Sequence, residues 1–274
     1  MEIHRYMGDP EEKGWALGTI KDGLLKVSRL SEFNDPFEGM FSMPETISAA
    51  QMRQYVRAGR EDPRVAFSPT LAEIKCSESE MTRGIKQRYP EIRRQRLVDL
   101  DRARDDLFLA ASFSDTSQID PTNEILLWSH YANSHRGVRL GFEINDRDAR
   151  SYKLENVVYD SKRITIELAG DPDKNAKLLL KAYMRKSEAW SYEKELRLFL
   201  RLDRCESKIV AGKSLYFFRY PQAWISSVDF GAECPSNIKE PIIDFVRSSQ
   251  RPIKLRQASY HESEFALVYD EIII

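Results

Sequence analysis

The chain has 274 residues, 42% of them hydrophobic and 31% charged, with a formal net charge of −1. That length buries a sizeable core in one large domain or two small ones. The near-neutral balance excludes nucleic-acid binding by bulk charge, although a local basic patch stays open, and no apolar run approaches the roughly 18–20 residues that span a bilayer.

The opening "MEIHRYMGDPEEKGW" has no basic n-region and no apolar h-region, so no signal peptide is expected. Cys76, Cys205 and Cys234 are odd in number, far apart and without CxxC spacing. That pattern predicts a reducing cytoplasmic setting, with neither a disulfide framework nor a structural zinc. "EIHRYM" reads as a strand, "DPEEKGWALGTIKDG" as a short helix ending near Gly23, and "LLKVSRL" as a second strand. "SEFNDPFEGMF" is a loop of turn formers. From about residue 45 to 106 the chain is polar, charged and helical in period, punctuated by Pro63, Pro69 and Pro90. "LFLAASFSD" is a strand, and "ILLWSHYANSH" a short helix or turn. In "GVRLGFEI", Val138, Leu140 and Phe142 alternate with Arg139, Gly141 and Glu143, the pattern of a half-buried strand. "ENVVYDS" is read as one short strand. "DPDKNAKLLLKAYMRKS" follows as a helix with an aspartate cap. "WSYEKELRLFL", "WISSVDFG", "PIKLRQASY" and "FALVYDEIII" complete the strands, with a helix over "SNIKEPIIDFVRSS". The expected fold is a single α+β domain over 1–274. Its core is mixed or antiparallel, with two small sheets forming a cleft as one form of it, and a helical insertion interrupts it.

Three stretches carry candidate chemistry. In "SEFNDPFEG", Asn34 and Asp35 suit Asx turns and Pro36 fixes φ. The same loop could present Asp35 and Glu38 to a ligand. In "WSYEKELRLFL", strand alternation puts Tyr192, Lys194, Leu196 and Leu198 on one face and Glu193, Glu195, Arg197 and Phe199 on the other. Two carboxylates on one strand face lie about 7 Å apart, able to share a proton or to stabilise developing positive charge. A solvated Glu–Arg face is the competing reading. In "LWSHYANSHRG", His130 and His135 are five apart, which does not place two ligands on one helix face, so no metal site is expected there. His130 and Tyr131 suit gripping a nucleotide. Gly137 permits close backbone approach or a positive φ at the entry to the strand. The alternative is that Trp128 and Tyr131 are core aromatics and His135 is exposed.

Taken in order, "LKVSRLSEFNDPFEG", "SFSD", "LLWSHYANSHRGVRLGFEI", "VVYDS" and "KSEAWSYEKELRLFL" resemble the bacterial DUF2971 family, over roughly residues 3–232. A second resemblance is to the ADP-ribosyltransferase superfamily: an early strand with His or Arg, a middle serine or tyrosine segment, and a late Glu-x-Glu strand. It implies NAD as substrate. His4 or Arg5 would hold it, with Tyr6, Ser28, Asn34, Asp35, His130 and Arg197 as further binding residues. Tyr131, Glu193 and Glu195 would be catalytic, Glu195 favouring the oxocarbenium-like transition state. It also implies a toxin or phage-defence effector. Two other readings stay open. One is a non-catalytic sensor that binds a nucleotide or a partner. The other is a metal-dependent nuclease or hydrolase using Asp35, Glu38, Glu193 and Glu195.

Overall fold

The strand read in "EIHRYM" runs over Glu2–Met7 and sits inside an eight-stranded sheet, with neighbours on both sides. The structure, a computed structural model, describes residues 1–8, 14–61, 77–167 and 172–274. In chain order the strands are β1 (Glu2–Met7), β2 (Leu24–Val27), β3 (Phe108–Ser114), β4 (Val138–Glu143), β5 (Leu154–Asn156), β6 (Val158–Asp160), β7 (Arg185–Ser187), β8 (Glu195–Arg201), β9 (Glu206–Val210), β10 (Lys213–Arg219), β11 (Ile225–Phe230), β12 (Lys254–Tyr260) and β13 (Leu267–Glu271). The fold is α+β and falls into two units. Met1–Arg29, Phe108–Val157 and Ala189–Ile274 form the first; Leu30–Leu107 and Val158–Glu188 form the second.

The first unit holds the eight-stranded sheet, in the order β13-β12-β11-β4-β1-β3-β8-β5, and a three-stranded sheet, β2-β10-β9. Neighbours in the large sheet are antiparallel except β11 and β12. A parallel pair needs a crossover, and the helix Ser236–Ser249 supplies it. One face of the large sheet packs Ile3, Phe113, Leu140, Leu198 and Phe230 into the main core, with Ile20, Ile242 and Val246 from helices and Leu25 and Phe218 from the small sheet. Because side chains alternate along a strand, Arg5 shares the face of Ile3, while His4 and Tyr6 point to the other. β9 and β10 form a hairpin that the sequence reading left without strands. Its turn is Ala211–Gly212, at φ 49 and 76, the primed geometry that matches strand twist.

The second unit contains the helices Ala49–Glu61 and Glu78–Leu107. They pack through Met52, Tyr55, Val56, Met81, Ile85 and Tyr89. Pro90 does not punctuate a boundary: it lies inside the second helix, which runs through it. The unit also holds the helix Pro172–Tyr183 and the parallel pair β6–β7. Pro63, Pro69, Cys76 and the expected cap at Asp171 lie outside the described residues. Cys205 and Cys234 are free thiols.

Three further expectations are corrected. β4 is buried on both faces from Val138 to Phe142, not half-buried, because it lies between β11 and β1 inside the large sheet. "ENVVYDS" is two strands, β5 and β6, in different sheets. "WSYEKELRLFL" is not strand throughout. Glu188–Glu193 is a 3-10 turn, Lys194 is left-handed at φ 46, and the strand starts at Glu195. No helix among the described residues is long and apolar enough to cross a membrane.

Candidate functional site

The first unit contains a cavity of about 610 Å³ between β1 and the small sheet. That falls in the range of roughly 300–1,000 Å³ typical of small-molecule sites. Arg5 and Met7 line it from β1, Lys26 from β2, Lys208 from β9 and Phe217 from β10. Gly14, Trp15 and Gly18 line it from the start of the helix Trp15–Asp22. That helix begins after Gly14, left-handed at φ 69, a residue with no side chain to cap it. Such a terminus favours an anion. Trp15 and Phe217 stack with ring centres 6.1 Å apart and planes at 21°, and the Lys208 ammonium lies 5.3 Å from the Phe217 ring centre.

Arg5 is the residue that most asks for a ligand. Its Nη2 donates to the carbonyl of Lys26 at 2.9 Å. Its Nη1 is buried and has no hydrogen-bond partner among the described residues. Burial pushes the guanidinium pKa down to about 10, with Glu195 opposing the shift, so the side chain is still a cation at neutral pH. A buried donor with no acceptor is costly, and an anion in the cavity would satisfy it.

Behind Tyr131 lies an acidic pair, Glu193 and Glu195, neither of which lines the cavity. Tyr131 ends the helix Pro121–Tyr131 and lines the cavity. Its hydroxyl donates to Glu193 Oε1. Burial and then the Glu193 carboxylate raise the hydroxyl pKa, so it remains a donor. Glu195 Oε1 accepts from Arg197 Nε at 2.8 Å and lies 2.7 Å from its Nη2, with Arg197 fully buried. The Glu195 charge acts on both Arg5 and Tyr131. Glu193 and Glu195 therefore both act on Tyr131 from a turn and a strand start, rather than by alternation along one strand.

Tyr131, Glu193, Glu195 and Arg197 thus form one group; Arg5 feels the Glu195 charge, although the register sets its side chain on the other face of the sheet from Glu195 and Arg197. The other expected residues do not join it. His4 shares the face of Glu195 but has its Nδ1 2.8 Å from Thr116 Oγ1. Tyr6 lines the cavity, but its hydroxyl donates to Glu124 at 3.3 Å. Ser28 pairs through its backbone with Ala110 and is not among the cavity-lining residues. His130 is exposed and packs on Tyr131 and Trp190, ring centres 6.2 and 6.1 Å away. Asn34 and Asp35 belong to the second unit, where Asp35 Oδ1 accepts from the N–H of Phe37 at 2.9 Å, an Asx turn. His135 is buried, not exposed. It closes a run of left-handed residues from Asn133 (φ 48) through Ser134 (φ 53) to His135 (φ 66). Gly137 is required for close approach: a Cβ there would stand 2.1 Å from the Met7 carbonyl. Among the described residues no group of three or more His, Cys, Asp or Glu could hold a metal.

Two features were not read from the sequence. Trp15, Lys26, Lys208 and Phe217 sit on short elements with no motif. The second feature is a buried ionic row across the far face of the large sheet. Tyr6, Arg139, Asp229 and Arg256 are cross-strand neighbours in register. Arg139 Nε donates to Asp229 Oδ2 at 2.7 Å, and Arg256 Nη2 to the same oxygen at 3.0 Å. Arg139 also pairs with Glu124, which accepts from the Tyr269 hydroxyl at 2.6 Å. The Tyr269 ring lies 4.4 Å from the Arg139 guanidinium. Burial alone would lower the Arg139 pKa; Asp229, Tyr6, Tyr269 and Glu124 outweigh it and raise it. Arginine on the polar phase of a strand, as at Arg139, was the available signal, but it reads as a solvent-facing residue.

No curated protein and no solved structure matches the chain. One family model does, and it covers the segment bearing Tyr131, Glu193, Glu195 and Arg197: residues 127–198 are similar to DUF2971, described as a protein of unknown function.

Proposed function

We propose that the first unit binds a dinucleotide of the NAD class in the cavity between β1 and the small sheet. The observation that carries this reading is the buried, unpartnered Nη1 of Arg5. Around it stand two further cations, Lys26 and Lys208, a helix start and the stacked Trp15–Phe217 pair. Phosphates suit the cations and the helix start; a flat base suits the aromatic pair. Calorimetric titration with NAD is expected to show one site per chain. Arg5→Gln, which removes the charge and shortens the fork, is expected to weaken binding about 10- to 100-fold, the worth of a charge-assisted hydrogen bond. Equal affinity in the variant would refute the placement.

A second reading, transfer of ADP-ribose, is favoured by Tyr131, which lines the same cavity and donates to Glu193 behind it. In it nicotinamide leaves with the electrons of its glycosidic bond, and an acceptor oxygen or nitrogen bonds the ribose carbon. The acceptor's proton passes to a carboxylate, with Glu193 or Glu195 stabilising the cationic ribose. Tyr131→Phe keeps the ring and removes the bond to Glu193. It is expected to slow nicotinamide release from NAD at least about ten-fold while leaving NAD affinity within a factor of about three. No release by the unaltered chain would leave binding without turnover.

A further inference from the structure

The second unit has a separate, smaller cavity of about 220 Å³. Three sequence stretches meet on it. Phe37 and Met40 come from the "NDPFEGM" loop, Lys162 and Arg163 from the segment after β6, and Arg185 and Lys186 from β7. Four cations line it against one carboxylate, Asp160. That carboxylate is already engaged: Oδ2 accepts from Arg185 Nη1 at 2.7 Å, and Oδ1 from the N–H of Lys162 at 2.9 Å. Arg185 Nε is buried with no hydrogen-bond partner among the described residues. Lys186 is buried, only 5% exposed. Phe37 is 56% exposed, a large value for an aromatic ring, and the Arg163 guanidinium stands 5.7 Å from its centre.

The cavity therefore offers the Lys162 and Arg185 cations, a buried donor with no acceptor among the described residues, and an exposed ring beside them. Positive charge with an unused guanidinium N–H selects a phosphate. An exposed aromatic face next to a phosphate site is a stacking platform for a base. The volume is below the roughly 300 Å³ at which whole-ligand sites begin, so the phosphate goes inside and the base stays outside on Phe37. We propose that the second unit binds a nucleoside 5′-phosphate here, the phosphate held by Arg185 and Lys162 and the base stacked on Phe37. The same chemistry is offered by a free mononucleotide and by the 5′-phosphorylated end of an oligonucleotide.

The test uses the full chain and measures binding of AMP, adenosine, inorganic phosphate, and a tetranucleotide with either a 5′-phosphate or a 5′-hydroxyl. Lys162 and Phe37 are both exposed, so Lys162→Glu and Phe37→Ala leave the core intact, which an unchanged melting temperature verifies. AMP is expected to bind, adenosine not to bind, and phosphate to bind more weakly than AMP. Lys162→Glu should weaken AMP at least ten-fold and Phe37→Ala several-fold, while Arg5→Gln, in the other cavity, leaves AMP unaffected. If the phosphorylated tetranucleotide binds more tightly than AMP, the ligand is a nucleic-acid end; if less tightly, a free mononucleotide. The assignment is overturned if AMP does not bind, if Lys162→Glu leaves its affinity unchanged, or if inorganic phosphate binds as well as AMP.

Discussion

Asp229→Ala is expected to lower the stability of the first unit by about 3–5 kcal/mol, the usual cost of removing one partner from a buried ion pair. Asp229 is fully buried and holds two arginines at once, Arg139 through its Nε and Arg256 through its fork. Removing the carboxylate leaves Arg139 short of charge in the interior, with Glu124 still beside it, and takes that partner from the partly exposed Arg256. Those arginines lie on β4 and β12, which flank the Asp229 strand, β11, in the large sheet. The damage therefore falls on the middle of the sheet, and thermal melting should show a drop of roughly 10 °C. Asp229→Asn keeps the shape and one acceptor oxygen and should lose less. A melting temperature for Asp229→Ala within about 2 °C of the unaltered chain would mean that the row contributes little to folding.

Acidification should destabilise the fold well above the range in which carboxylates titrate. His4 is 5% exposed, and its pKa is pushed from 6.5 down to about 3, first by burial and then by Arg139. Between those two values the unfolded chain binds a proton that the folded chain does not. Stability therefore falls as pH falls through that window. At pH 5 the loss from His4 alone is about 2 kcal/mol relative to pH 7 or above. His135 is shifted in the same direction by burial, so the effect of His4 is isolated by difference. His4→Asn, melted at pH 7.5 and pH 5, should show a clearly smaller drop than the unaltered chain. Parallel drops in the two proteins would show that His4 takes up its proton in the folded state as readily as in the unfolded one.

How much was legible in the sequence follows from what each signal depends on. Helix ends written in local chemistry were found: Gly23 terminates its helix in the left-handed conformation, and the helix Ser236–Ser249 matches the stretch read for it. Strands with an apolar phase were found too, including β1 and β4. Alternation failed where burial was two-sided. Arg139 and Asp229 have the spacing of solvent-facing residues, yet they lie on the inner strands of a wide sheet and neutralise each other. It failed again at Lys194, whose positive φ breaks the strand between two glutamates. The shared strand face expected for them does not exist, because Glu193 lies in the 3-10 turn and only Glu195 in the strand. The cavity was half legible. Arg5 and Tyr131 stood in stretches singled out for their chemistry. Lys208 and Phe217 lie on a hairpin whose only local mark is Ala211–Gly212, and a residue other than glycine at the first turn position hides that mark. Trp15 reads as an ordinary helix start. Nothing local says that its ring will stack on one some two hundred residues away.

The central claim is that the cavity beside Arg5 takes a dinucleotide. A structure of the chain crystallised with NAD tests it most directly. Density for the pyrophosphate within hydrogen-bonding distance of Arg5 Nη1, with a base against the Trp15–Phe217 pair, is the predicted result. NAD bound elsewhere, or a saturating concentration that leaves this cavity empty, would contradict it.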